Sequence, residues 1–201
     1  MTYHRGTAGQ IAFGATLALL AWTLIGSTAE KKTDNPVVVM ETSMGDISVE
    51  LYKDKAPKSV ENFLSYVKDD FYRGTIFHRV IKNFMIQGGG FTAAMAKKPT
   101  KPPIMNESTN GLHNNRGTIA MARTADPNSA TSQFFINTKD NAGLDRPQEP
   151  NGYAVFGKVI SGMGIVDQIE NVATTTKGSY QNVPLTPVVI KNITLKAPKE
   201  K

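Results

Sequence analysis

The sequence predicts a mainly β fold, a closed antiparallel barrel accompanied by two α-helices. Short apolar or alternating runs recur between residues 37 and 195, and only two stretches switch to a helical period. The 17 glycines and 11 prolines are spread along the chain, which supplies turns between short elements. Many short strands joined by turns favour closure, because a closed sheet leaves no unpaired edge.

The elements follow in order. Residues 37–40 and 46–51 read as an opening hairpin, with Ile47, Val49 and Leu51 on one face and Ser43, Met44 and Gly45 between the strands. From Pro57 the spacing of Val60, Phe63, Leu64 and Val67 predicts an amphipathic helix to about Asp69, with proline suited to the first turn. Strands are expected at 76–80, 84–87, 118–122, 134–137, 153–160 and 188–195. Met163, Val166 and Ile169 mark a second helix behind Gly162. Gly88, Gly89 and Gly90 read as a turn that needs positive φ. Two polar stretches, 92–115 and 139–151, read as long loops of the kind that carry function. Gly111 to Gly117 reads as tight turn chemistry entering a strand.

The N-terminus has a different character. His4 and Arg5 precede an apolar run at 11–26, and no acidic residue occurs before Glu30, which is the pattern of an export signal. Ser27 and Ala29 place the cut after Ala29, which makes 1–29 a signal, 30–36 a short linker, 37–196 the domain and 197–201 a tail. An uncleaved anchor over 11–26 is the alternative, but that run is shorter than the ~20 residues that span a bilayer. The expected location is therefore periplasmic. The chain has no cysteine, so disulfides, thiolate metal sites and a lipid-modified cysteine are excluded.

Most catalytic classes find no support. His4, His78 and His113 are the only histidines and none has metal-ligand spacing, so no metal or cofactor is expected. The glycine run lacks the Lys-Ser/Thr ending of a phosphate loop, and no Gly-x-Ser-x-Gly elbow occurs. The net charge of +6 rests partly on Lys97, Lys98 and Lys101, which sit among prolines without interleaved aromatics, so no nucleic-acid partner is expected.

Five segments stand out instead: residues 77–80, 84–91, 117–123, 132–137 and 153–159. In this order and spacing they resemble the cyclophilins, most closely the exported bacterial type. The resemblance implies a closed eight-stranded antiparallel barrel capped by two α-helices, and a peptidyl-prolyl cis/trans isomerase. It implies Arg79 as the catalytic arginine and Phe84, Met85, Phe135 and Leu144 as the proline pocket. Gln87 and Gln133 would be polar groups near the peptide, while Ala122 and Arg123 would line the groove, the backbone of Arg123 holding the substrate. Tyr153 stands where many relatives carry His, Arg123 where the eukaryotic pattern has Asn, and Gly143 where Trp or Phe precedes the leucine. His78 is read as structural. The implied partners are proline-containing polypeptides folding outside the cytoplasm, met by a monomer that binds cyclosporin weakly because Gly143 offers no indole. A binding module or holding chaperone with little turnover is the alternative.

Overall fold

The computed structural model describes residues 1–3, 35–146 and 151–197. The apolar run 11–26 and the cut after Ala29 lie outside them. The chain divides into two units, Met1–Thr33 and Asp34–Lys201, and the fold below is that of the second.

Among the described residues ten strands and two α-helices form in the order β1 (Val37–Thr42), β2 (Gly45–Leu51), α1 (Pro57–Lys68), β3 (Thr75–Ile81), β4 (Met85–Thr92), β5 (Thr118–Met121), β6 (Phe134–Asn137), β7 (Val155–Ser161), α2 (Met163–Glu170), β8 (Thr174–Lys177), β9 (Tyr180–Pro184) and β10 (Val189–Leu195). Eight of them close a barrel in the order β1-β10-β3-β4-β6-β5-β7-β2. Every barrel pair is antiparallel. The eight expected strands and both expected helices are present, with ends shifted by a few residues.

Alternation explains the barrel interior. In the β1–β2 hairpin, Val38 faces Val49 and Met40 faces Ile47, and all four are fully buried. Intervening residues such as Asp46 point to solvent. Helix α1 buries Val60, Phe63 and Tyr66, and Phe63 lies 5.4 Å from Phe156 and 5.6 Å from Phe134, ring to ring. Ala56 gives this helix no side-chain cap. The cap comes from the loop at 92–115: the Glu107 carboxylate accepts from the backbone N–H groups of Lys58 (3.0 Å) and Ser59 (2.8 Å), where the helix dipole favours an anion. That loop is further pinned by single bridges of Phe91 to Lys97 and Ile104 to Ala130.

Two findings differ from the sequence reading. Gly88, Gly89 and Gly90 do not form a turn; they lie inside β4. Only Gly89 has positive φ (+82°), and a Cβ there would meet the Phe134 and Tyr72 rings at 2.8–2.9 Å, so core packing as well as backbone conformation demands glycine. The hairpin of β8 and β9 was not expected at all, because Thr174 to Asn182 offers no alternating apolar face.

Candidate functional site

One line of residues crosses the outside of the barrel. Arg79 on β3 pairs with Gln87 on β4, Gln87 with Phe135 on β6, Phe135 with Ala120 on β5, and Ala120 with Val155 on β7. The neighbouring line of Val80, Ile86, Ile136 and Ile119 points inward and belongs to the core. A strand period of two therefore sorts adjacent residues into core and site. Met85, Ala120, Phe135 and Val155 make a second apolar cluster outside the barrel core, with Phe84, Ala122, Leu144 and Tyr153 packed against it and partly exposed.

Nine of the ten residues singled out from the sequence line one cleft of about 100 Å³: Arg79, Phe84, Met85, Gln87, Ala122, Arg123, Phe135, Leu144 and Tyr153. The tenth, Gln133, stands beside it and accepts a 3.0 Å hydrogen bond from the Gln87 carboxamide. Its side chain occupies the space over Gly90, where a Cβ would come within 2.6 Å of it. Phe84 sits in the turn just before β4 rather than in the strand.

Arg79 is half-buried at the rim of this cleft, and its Nη1 donates a long 3.4 Å bond to the Gln87 carboxamide oxygen. Among the described residues no carboxylate lies within ion-pair distance of it. The opposite wall joins two of the departures noted above. The Arg123 guanidinium carbon lies 4.3 Å from the centre of the Tyr153 ring, and its Nε and Nη2 both donate to the Gly152 carbonyl at 3.2 Å. Tyr153 in turn meets Phe135 edge-on, 5.7 Å between centres. Arg123 and Tyr153 thus form one stacked unit, and an account of either side chain needs both.

Sequence reasoning missed the polar frame beneath the cleft. Asn114, fully buried, donates from its backbone and its side chain to Asp145 at 2.8 Å, and its carboxamide reaches the Tyr153 carbonyl at 3.3 Å. Asn141 donates to the Phe84 carbonyl (2.8 Å) and to the Asn137 side chain (2.7 Å). These bonds fix the short 3-10 turn Ala142–Leu144 that presents Leu144. The available signal was the concentration of Asn and Asp on both sides of the pocket residues.

His78 neighbours Arg79 but is buried, its ring 4.6 Å from that of Phe91. Burial pushes its imidazole down to about 4, with the Arg79 charge acting in the same direction against the backbone of Ile76 and the Gln133 side chain. It is neutral at ordinary pH. Gly143 is exposed, and a Cβ there would meet nothing within 4 Å.

Residues 37–195 match the family model described as cyclophilin type peptidyl-prolyl cis-trans isomerase/CLD. The chain is 60% identical over 163 residues to a peptidyl-prolyl cis-trans isomerase of Acinetobacter baylyi, covering 81% of this chain and 87% of that one. It is 53% identical to peptidyl-prolyl cis-trans isomerase A of Dickeya dadantii, over 89% of this chain and 93% of the relative. Among solved structures, a cyclophilin type isomerase of Cryptosporidium parvum, crystallised in the presence of the dipeptide Ala-Pro, superposes with a TM-score of 0.68 at 29% identity, covering 81% of this chain and 99% of that one.

Proposed function

Since the chain belongs to the cyclophilin-type peptidyl-prolyl cis-trans isomerases, and is thereby an enzyme acting on X-Pro bonds, we propose that Arg79 drives the rotation and that the clients are polypeptides folding outside the cytoplasm. The observation that carries the mechanism is a guanidinium at the rim of an apolar cleft, steadied by a carboxamide and, among the described residues, not neutralised by a carboxylate.

The X-Pro amide resists rotation because the proline nitrogen shares its lone pair with the carbonyl, which sets a barrier of ~18–20 kcal/mol. Twisting the bond returns that lone pair to nitrogen, which becomes a hydrogen-bond acceptor it was not in the planar amide. A donor fixed at that point binds the twisted state better than either planar isomer, and only such differential binding raises the rate. Phe84, Met85, Phe135 and Leu144 hold the pyrrolidine ring, Tyr153 and Arg123 close the far wall, and Gln87 orients Arg79 toward the ring nitrogen. No covalent step is needed. The test separates turnover from affinity in an Arg79→Ala variant.

The cellular role rests on the N-terminal pattern of 1–29. The protein recovered from cells is expected to begin at Glu30 in a soluble fraction outside the inner membrane. Mass spectrometry that finds the intact start at Met1 in membranes would identify the segment as an anchor. Uncatalysed proline isomerisation takes tens of seconds, so an isomerase placed there removes a slow folding step.

Weak cyclosporin binding is the expected consequence of Gly143. Gly143→Trp is expected to tighten inhibition about fivefold or more, the worth of one additional contact in a desolvated pocket. A Cβ at Gly143 would meet no atom within 4 Å. An inhibition titration checks this: tight inhibition of the parent, or no gain in the variant, would remove this turn from the drug-binding surface.

A further inference from the structure

A second, larger cavity of about 420 Å³ adjoins the proline cleft and shares Arg79 and Gln87 with it. His78, buried on β3, contributes to its lining. One wall is aromatic, with Phe91 between the rings of His78 (4.6 Å) and Tyr180 (5.1 Å). Its rim is the polar segment 179–182 of the β8–β9 hairpin, in which Asn182 has a φ of +59°. Gln133 lines the side facing the proline cleft, tied to Gln87 across the boundary.

We propose that this cavity is an accessory subsite that holds the substrate chain about three residues from the proline and favours a polar side chain there. The inference rests on the isomerase reading of the adjoining cleft. The spacing follows from the sheet: from Phe135 on β6 to β3, where the cavity meets the hairpin wall, is two ladders, roughly 10 Å, which an extended peptide crosses in about three residues. The volume lies within the range of pockets that enclose ligands. The chemistry follows from the lining. Carboxamides and hydroxyls supply donors and acceptors, and Arg79 is the one charged side chain among the lining residues. A serine or asparagine side chain, with its backbone amide, can pair with those groups. A leucine would desolvate them without return. The β8–β9 hairpin thereby has a functional position, since without it the cavity would lose its outer wall and become a shelf.

The test uses the purified full chain and three X-Pro peptides, followed by exchange NMR. One is a tetrapeptide, and the other two carry three added residues on each side of it, ending in Ser or in Leu. The parent is expected to turn over the Ser-extended peptide about fivefold more efficiently than the Leu-extended one, the effect of one net hydrogen bond. In Gln181→Ala, and in Asn182→Gly, which retains the left-handed backbone, that ratio is expected to approach one. An equal ratio in the parent and both variants, or no preference in the parent, overturns the subsite. The tetrapeptide arm separates the two readings: a parent that does not catalyse its exchange sinks the isomerase mechanism. Even then the subsite stands or falls on binding. It requires the His78 and Tyr180 resonances to shift with the Ser-extended peptide and not with the tetrapeptide, and it fails if both peptides shift them alike.

Discussion

Replacing Arg79 with alanine is expected to lower kcat/KM at least about a hundredfold, the scale seen when one preorganised donor to a developing charge is removed. The affinity for an X-Pro peptide should change much less, because the proposed mechanism assigns the grip on the ring to Phe84, Met85, Phe135 and Leu144, which line the same cleft. The fold should be unaffected. Arg79 is half-buried on the outer face of β3, among the described residues it forms no ion pair, and its hydrogen bond to Gln87 is a long one. The informative comparison is therefore kcat against binding: a guanidinium acting on the twisted state moves the first, while one that merely holds the substrate weakens binding and leaves kcat unchanged. Arg79→Lys serves as the intermediate case, since an ammonium keeps the charge and loses the planar fork. A variant as active as the parent would contradict the mechanism.

The second large effect is on stability in acid. His78 is held down to about 4 in the fold, against an ordinary value near 6.5, because burial penalises its charged form. Between those values the unfolded chain binds a proton that the folded chain refuses. Stability from this group is therefore complete above about pH 6.5 and is lost as pH falls toward 4, by roughly 3 kcal/mol across that window. Urea midpoints at pH 7, 5 and 4 for the parent and His78→Asn isolate the term, because other titrating groups are common to both. The parent should lose more stability than the variant on acidification. Parallel losses would show that the imidazole gains a proton partner on folding. Catalysis should be flat between about pH 6 and 8.5, since His78 is already neutral there and rotation uses no general base.

The barrel was legible because its strands carry strong alternation. Ile47, Val49 and Leu51 announce the buried face of β2, and Phe134, Phe135 and Ile136 lie in a run whose members alternate between the core and the cleft. The β8–β9 hairpin was not legible. Its residues are polar on both faces, and its place on the barrel is set through Tyr180 against Phe91, a contact between distant segments. The glycine run misled for a related reason. Positive φ was anticipated for the run as a whole and occurs at Gly89 alone, and the need for close packing against Phe134 and Tyr72 arises only once the barrel has closed. Arg123 and Tyr153 were singled out separately, as two departures from a family pattern. Thirty positions apart in sequence, they show their stacking only in three dimensions. The frame of Asn114, Asn137, Asn141 and Asp145 was hidden in what reads as ordinary loop composition.

The central claim, that this cleft accelerates rotation about X-Pro bonds through Arg79, is tested most directly by exchange spectroscopy on one X-Pro peptide at equilibrium. With catalytic amounts of the purified chain, in the presence of a chelator, interconversion that takes tens of seconds or more unaided is predicted to become fast enough to broaden and merge the cis and trans resonances. The Arg79→Ala chain should bind the same peptide and leave them sharp and separate. A parent chain that binds the peptide without merging the resonances would contradict the account and leave a proline-binding module in its place.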